Sequence, residues 1–276
     1  MSIITISHEA FGDGRAVAER VADILGYRCI SREVLIKASE RYGIAEAKLS
    51  EVLEEMPRHW WAQLLESQGL YRIALKAAAC ELAQDGNIVY HGRAGQEFFP
   101  GIRHVLNVFV DTPTESRIRQ VMARKGMDEQ AAKRYLAEVD RIRTRRIREL
   151  FKIDWRDPAR YDMVLNTAKS SVETAARMIA EISQREEYRP TAESLQAMCD
   201  LTISARVEAL LIASDLDVSN LEIDVRRGEV RIEGIILAEG IEQAISDMVR
   251  KIPGVIGVRT HFVVTPPDHY LYGDSR

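Results

Sequence analysis

Residues 3–26 read IITISHEAFGDGRAVAERVADILG, and this stretch decides the fold of the first part of the chain. Ile3 to Ile6 form a short run rich in β-branched residues, which is typical of a buried strand. A polar turn with two glycines follows, and apolar residues then recur at helical spacing until Gly26. The stretch therefore predicts a strand, a loop and a helix in succession.

Three further apolar runs have the length of buried strands, and they lie at residues 87–90, 105–110 and 163–165. Helical patterns separate the strands and cover residues 32–84, 114–125, 128–150 and 171–184. Strands that alternate with helices, without tight hairpins between them, favour parallel pairing. Residues 1–184 are therefore predicted to form an α/β domain built on a doubly wound parallel sheet.

The pattern changes after residue 184. A charged stretch ends at Pro190, and we place a linker at residues 185–199. Residues 200–268 then combine two helical patterns, at about 200–213 and 239–251, with a hairpin of two alternating strands and a last strand that ends at Val264. We expect a small antiparallel α+β domain in this part of the chain.

The charge balance and the cysteines of the chain argue against some classes of protein. The 276 residues carry 38 basic and 42 acidic side chains, which gives a formal net charge of −4. This balance argues against non-specific binding of the whole chain to nucleic acid, and no specific nucleic-acid partner is predicted. Cys29, Cys80 and Cys199 lie far apart, which gives no support for a disulfide framework or a zinc site.

The hydropathy pattern predicts a cytoplasmic protein. The apolar run at the start of the sequence is too short for the core of a signal peptide. Elsewhere no stretch approaches the ~18 consecutive apolar residues that a membrane span needs. The sequence predicts no particular oligomeric state.

The loop after the first strand is a candidate phosphate site. Many nucleotide-binding proteins hold phosphate between a first strand and a first helix, because backbone N–H groups and the helix N-terminus provide a positive field there. The usual form of this loop contains Gly-Lys-Ser/Thr, whereas residues 8–16 here read HEAFGDGRA. Taken alone, this fragment is more typical of an ordinary turn between a strand and a helix.

The wider sequence resembles the cytidylate kinase-like family. The resemblance begins with the stretch from Ile3 to Arg15 and continues through Gly92-Arg93, Arg117, Asp140-x-x-Arg143, Asp157-Pro158, Tyr161-Asp162 and Leu165-Asn166-Thr167. It covers about residues 1–184 and implies a P-loop kinase-like domain with a helical lid. It also implies transfer of the γ-phosphoryl group of ATP, in the presence of Mg²⁺, to a cytidylate-like nucleotide.

The phosphate loop departs from the pattern of that family, which has the form Ser-Arg-Glu-x-Gly-Ser-Gly-Gly-Arg. Without a gap, His8 stands at the arginine position and Gly14 takes the place of the usual phosphate-binding lysine. A shift of one residue places Arg15 on that lysine instead, and both alignments stay open. The carboxylate of Asp13 is a like charge in an anion site, so we expect it to weaken triphosphate binding. The residues assigned to the phosphate-binding loop are Gly12, Asp13, Gly14 and Arg15, with Arg15 also a candidate catalytic residue.

Further arginines receive roles from the same resemblance. Arg143 is the candidate for contacting the transferring phosphate, and Arg93 and Arg32 are candidates for binding the acceptor nucleotide. Arg117 and Asp140 are assigned to the lid and its phosphate contacts. The remaining arginines of the lid region, such as Arg148, are expected to form a solvated, salt-bridged face. No protein ligand for a metal ion is predicted.

Residues 200–268 resemble a BON domain. The resemblance rests on Gly228-x-Val230-x-Ile232-x-Gly234 and on Pro253-Gly254-Val255, together with the two helical patterns. It implies binding of a ligand or partner whose identity the sequence leaves open. Two alternatives to the kinase also stay open. One is a catalytically weak or inactive nucleotide sensor that signals through the BON-like domain, and the other is a scaffold that binds no nucleotide.

Overall fold

The computed structural model describes residues 2–42, 68–214, 221–236 and 240–264. The chain divides into two compact units, Met1–Ser194 and Leu195–Arg276. The helical pattern predicted for residues 43–67 and the end of the BON-like region at 265–268 lie outside the described residues. Every helix in the described part of the chain is too short or too polar to cross a membrane.

A five-stranded parallel sheet lies at the centre of the first unit. Its strands are β1 (Ile3–His8), β2 (Arg28–Ile30), β3 (Ile88–Gly92), β4 (Val105–Asp111) and β5 (Met163–Asn166), in the order β2-β3-β1-β4-β5. All four neighbouring pairs are parallel, so the predicted doubly wound parallel sheet is confirmed. The sequence patterns missed β2, because it is only three residues long and begins with an arginine.

Helices cover both faces of this sheet. Among the described residues of the first unit, the α-helices are α1 (Gly14–Leu25), α2 (Arg32–Tyr42), α3 (Gln68–Ala83), α4 (Thr114–Lys125), α5 (Glu129–Phe151) and α6 (Val172–Ser183). On one face, α1 and α6 pack on β1 and β4 through residues such as Val17, Ile179 and Val108. On the other face, Ile147 of α5 packs with Phe109 of β4. Alternating residues of β4 therefore meet opposite layers, as the strand period of two requires.

The topology brings several loops to one edge of the sheet. Because β1, β3 and β4 are parallel, their carboxyl ends at His8, Gly92 and Asp111 lie on the same side. Ligands in open α/β sheets bind at this edge. The candidate phosphate loop, which connects β1 to α1, therefore lies beside the segments that follow β3 and β4.

The described residues of the second unit form a three-stranded sheet and two helices. Its elements are α7 (Ala192–Ala213, which begins in the first unit), β6 (Leu221–Arg226), β7 (Glu229–Ile236), α8 (Ile241–Val249) and β8 (Gly257–Val264). β6 and β7 form the predicted antiparallel hairpin, whereas β7 and β8 pair in parallel. The expectation of an antiparallel sheet is therefore wrong, because α8 provides a crossover that allows β8 to run in the direction of β7.

Helix α7 extends into the segment predicted as a linker. It begins at Ala192, whereas the sequence pattern placed the start at about residue 200. The backbone N–H of Ser194 donates to Oγ1 of Thr191 (3.1 Å), and the N–H of Thr191 donates to Oγ of Ser194 (2.9 Å). This reciprocal pair is a capping box, which fixes the helix start before the apolar pattern begins. The boundary between the two domains stays a prediction.

We predict that Ile179→Ala destabilises the first unit by about 2–5 kcal/mol, because it removes buried methyl groups and leaves a cavity. Ile179 is fully buried, whereas its neighbour Met178 is 45% exposed. Met178→Ala is the matched control and should change the free energy of unfolding by about 0.5 kcal/mol or less. Urea denaturation measures both, and equal effects would contradict the packing of α6 on the sheet.

Candidate phosphate-binding site

A cavity of about 240 Å³ opens at the carboxyl ends of β1 and β3. Four arginines line it, Arg15, Arg32, Arg93 and Arg143, each from a different segment of the chain. They come from α1, the start of α2, the segment after β3, and α5. These four residues are distant in sequence, and the fold brings them together around one space. His8 and His91 also line this cavity.

Arg15 lies at the rim of the cavity and is 73% exposed. Its Nε donates to Oε1 of Glu19 over 2.8 Å, one helical turn further along α1. Exposed pairs of this kind contribute ~0.2–1 kcal/mol. Redirecting the guanidinium toward a ligand would therefore cost little, and its role as a substitute for the loop lysine stays a prediction.

The side chain of His8 lies against the first turn of α1. A Cβ atom built on Gly14 would be 2.2 Å from Cβ and 2.4 Å from Cγ of His8, so no side chain fits at position 14. Under the ungapped alignment, position 14 is the lysine position. The imidazole of His8 therefore occupies the space in which a lysine side chain would begin.

His8 is neutral at pH 7. Burial, together with His91, Arg143 and Arg93, lowers its pKa to about 4, against the opposing effect of its hydrogen bond to the carbonyl of Glu9. Burial and the charge of Arg15 also lower the pKa of His91. The fixed positive charge of the cavity therefore comes from the arginines.

Asp13 is held away from the cavity by side chains on the β4 and β5 side of the loop. Its carboxylate accepts hydrogen bonds from Nε2 of Gln120 (3.1 Å) and from Oγ1 of Thr167 (2.9 Å). Its backbone N–H donates to Oγ1 of Thr112 (3.0 Å). One of the N–H groups at the start of α1 is thus already used within the protein. The lining of the cavity includes Arg15 but not Gly12, Asp13 or Gly14.

Phe11 joins the same loop to helices α4 and α5. It adopts a left-handed backbone conformation with φ of 56°, and its ring lies 5.9 Å from that of Tyr135. It packs with the apolar residues that α4 and α5 bury between them, such as Val121 and Leu136. A position that the family pattern gives to glycine therefore carries a side chain that joins the loop to the helix pair.

Arg117 and Asp140 lie beneath the loop and not in the cavity. Arg117 is 2% exposed, and its guanidinium donates to both carboxylate oxygens of Asp140 (2.9 and 2.6 Å). Its Nε donates to the carbonyl of Ala10 (2.8 Å). The carboxylate of Glu9 lies 3.4 Å from Arg117 and 2.9 Å from Arg156. This charge cluster, defined as Glu9, Arg117, Asp140 and Arg156, connects the loop to α4 and α5.

Burial dominates the electrostatics of Glu9. It raises the pKa of this carboxyl group, although Arg117 and Arg156 act in the opposite direction. The sequence analysis missed Glu9, and it assigned Arg117 and Asp140 to phosphate contacts that this geometry does not favour. A charged residue next to a buried strand was the available signal for Glu9, but sequence alone does not identify its partners.

Two of the other lid arginines follow the expected surface pattern, but for Arg146 the expectation is wrong, because it is buried at 5% exposure. Arg141 pairs with Glu138 and Arg145 pairs with Glu149. Together with Arg148 and Arg156 they line a second, more open depression of about 490 Å³. The charges of Arg141 and Arg145 are matched by neighbouring carboxylates.

A parallel α/β sheet, a loop between the first strand and helix, and arginines that converge at the carboxyl edge define a P-loop kinase-like domain. Residues 3–169 match the model of the cytidylate kinase-like family, and residues 200–266 match the BON domain. The first match covers more than half of the chain. The chain therefore belongs to the cytidylate kinase-like family and carries a C-terminal BON domain, as the sequence motifs predicted.

Known relatives are similar at low identity. Cytidylate kinase from Ignicoccus hospitalis is 25% identical over 184 residues, which are 65% of this chain and 99% of the relative. Cytidylate kinase from Methanocaldococcus jannaschii is 29% identical over 102 residues, which are 36% of this chain and 57% of the relative. A solved structure from Eubacterium ventriosum, titled as an uncharacterized protein, has a TM-score of 0.51 at 22% identity and covers 66% of this chain and 97% of that chain. That structural similarity supports the fold.

We predict that Asp140→Ala destabilises the first unit by about 3–5 kcal/mol, because it leaves the buried charge of Arg117 without its bidentate partner. Glu138→Ala is the matched control on the same helix, since Glu138 pairs with Arg141 at the surface. The control should cost at most about 1 kcal/mol. Denaturation of the two variants tests this, and a small effect at Asp140 would refute the structural role of the charge cluster.

Proposed function

We propose that this chain is a nucleoside-monophosphate-kinase-like phosphotransferase, whose cavity binds the phosphate of the acceptor nucleotide. One observation carries the proposal: Arg15, Arg32, Arg93 and Arg143 reach one cavity from four separate segments. Guanidinium groups offer planar, paired N–H donors that match phosphate oxygens. Four guanidinium groups around a cavity of about 240 Å³ would form a binding site for a phosphate group.

The chemistry requires positioning and positive charge more than a covalent catalyst. In the proposed reaction an oxygen of the acceptor phosphate attacks the γ-phosphorus of ATP, and the bond to the β–γ bridging oxygen breaks. Arg93 and Arg32 would hold the acceptor phosphate. Arg15 and Arg143 would contact the transferring group, where negative charge is spread over three oxygens. The named activity of the relatives makes cytidylate the first acceptor to test.

The donor side of the site fits ATP with Mg²⁺ less closely. The loop has Gly14 and Arg15 where a P-loop has its lysine and its metal-binding hydroxyl. Within the described ranges, no group of three or more His, Cys, Asp or Glu side chains could hold a metal ion. Mg²⁺ commonly keeps several waters and uses substrate phosphates as ligands. The positive charge that this protein contributes to the proposed transfer therefore comes from its arginines.

A specific observation favours a second candidate, a nucleotide sensor without efficient turnover. The N–H of Asp13 donates to Thr112, and its carboxylate places a negative charge at the N-terminus of α1. Both features reduce the capacity of the loop for a triphosphate. A sensor would keep the arginine cavity, bind a monophosphate there, and signal through the BON domain, whose ligand remains to be identified.

One experiment separates these functions. The full chain is incubated with ATP, Mg²⁺ and each of CMP, dCMP, UMP, AMP and GMP, and nucleoside diphosphate is measured. Thermal unfolding is followed with the same nucleotides. A kinase produces diphosphate, whereas a sensor shows a raised melting temperature without product. If no nucleotide raises the melting temperature or reacts, both proposals fail and the scaffold alternative is favoured.

We predict that Arg93→Ala and Arg143→Ala each weaken CMP binding by about 1–3 kcal/mol, because each removes a charge-assisted hydrogen bond. Arg148→Ala is the matched control, since Arg148 lies on α5 with Arg143 but does not line this cavity. Isothermal titration calorimetry gives the three dissociation constants. Equal losses at all three positions would mean that the helix acts as a diffuse basic surface.

We also predict that Asp13→Asn strengthens ATP binding, by about tenfold or more. The change removes a negative charge a few ångströms from the loop, where repulsion at an effective dielectric of ~20 is of order a few kcal/mol before screening. The side-chain oxygen of asparagine can still accept from Gln120, and its amide nitrogen can donate to the hydroxyl oxygen of Thr167, so both contacts of the loop remain possible. Unchanged or weaker binding of ATP would indicate that the loop does not receive the triphosphate.

A further inference from the structure

The imidazole of His8 borders the cavity. Its Nδ1 lies 3.0 Å from the carbonyl oxygen of Glu9. A carbonyl only accepts, so Nδ1 carries the proton and donates. In the neutral ring, Nε2 is then the unprotonated nitrogen. This Nε2 is buried, and it has no hydrogen-bond partner among the described residues.

A buried acceptor without a partner is costly in a folded protein and calls for a ligand, a water or a proton. A neutral acceptor and a phosphate oxygen repel each other, because both present lone pairs. After Nε2 gains a proton, the ring becomes a cationic donor with its other N–H already fixed by Glu9. In that state it provides a cationic N–H donor at the border of the cavity, as a lysine would.

Burial is the main reason that the pKa of His8 is low and its ring neutral, and the charged groups around it add to this effect. His91 and Arg93 lie at the end of β3, Arg143 on α5, Arg15 on α1 and Arg32 on α2. The carboxylate of Glu9 pairs with Arg117 and Arg156, and that of Glu19 pairs with Arg15. The arginines therefore oppose a further positive charge until an anion enters among them.

We propose that His8 replaces the lysine of this phosphate loop, and that it binds phosphate by taking up a proton on Nε2 as the anion enters. The proton comes from solvent and joins the Nε2 lone pair, and no other bond changes. The inference rests on the proposed function in that the cavity receives a phosphate group. It adds that binding is linked to protonation of one residue.

The link between anion binding and protonation of His8 predicts in which direction the affinity changes with pH. The pKa of His8 in the empty cavity is about 4, and a bound dianion raises it. Between these two pKa values, binding consumes one proton, and affinity falls by up to tenfold for each pH unit of increase. Affinity for the anion should therefore fall as the pH rises from 6 to 8.

The experiment uses sulfate and CMP as probes with the full chain. Sulfate has no proton to give or take between pH 6 and 8, whereas the phosphate of CMP titrates near pH ~6. Calorimetry at pH 7 in two buffers with different ionisation enthalpies counts the protons that enter the complex. We expect up to one proton taken up for each sulfate bound, and protonation of His8 Nε2 in the ¹⁵N spectrum of histidine-labelled protein.

Three variants identify the residue that takes up the proton. His8→Gln should bind sulfate and CMP more weakly and take up no proton, because glutamine does not titrate. His8→Lys should bind with little dependence on pH from 6 to 8, since its charge is permanent. His91→Gln keeps His8 and should still take up the proton.

The outcomes separate this inference from the proposed function. Proton uptake that persists in His8→Gln and disappears in His91→Gln would overturn it. So would CMP and sulfate binding by the unmodified chain that is independent of pH and of the buffer, and in that case the proposed function stands. If neither probe binds the unmodified chain, both fail. The measurements on the unmodified chain decide the inference even if a variant does not fold.

Discussion

The buried guanidinium of Arg117 is the interaction on which the geometry of the site depends. A buried cation must be paired, so the carbonyl of Ala10 and the carboxylate of Asp140 are fixed relative to each other. The loop after β1 is thereby joined to α5. Arg143 lies three residues after Asp140 and therefore on the same face of that helix. The pairing of the buried Arg117 with Asp140 thus also positions the helix face that carries Arg143, which lines the cavity.

The same arrangement separates two uses of arginine within one region of the chain. Arg117 is enclosed and donates to Ala10 and Asp140, whereas Arg15, Arg93 and Arg143 border the cavity. The chain thus encloses one cation beneath the loop and brings others to the candidate site. The neutral His8 also borders the cavity and lies against Gly14.

The sequence predicted most of the fold because alternation of strands and helices determines a parallel sheet. It missed β2, whose three residues lack a periodic pattern, and the parallel pairing of β7 with β8, because strand periodicity is the same in both directions. Motif positions made Arg32, Arg93 and Arg143 candidate site residues, and all three line the cavity. Burial is a property of the whole fold, however, so no motif distinguished the enclosed Arg117 from these three. The role of His8 depends on its contact with Gly14, which no spacing rule reveals.

The contact between His8 and Gly14 also restricts how this protein could evolve. No side chain fits at position 14 while the imidazole is present. The structure therefore does not accommodate Gly14→Lys as a single substitution. Residue 8 would first have to lose its side chain, and that intermediate would carry neither histidine nor lysine beside the phosphate. A side chain at position 14 therefore requires a change at residue 8 as well, so these two positions can vary only together.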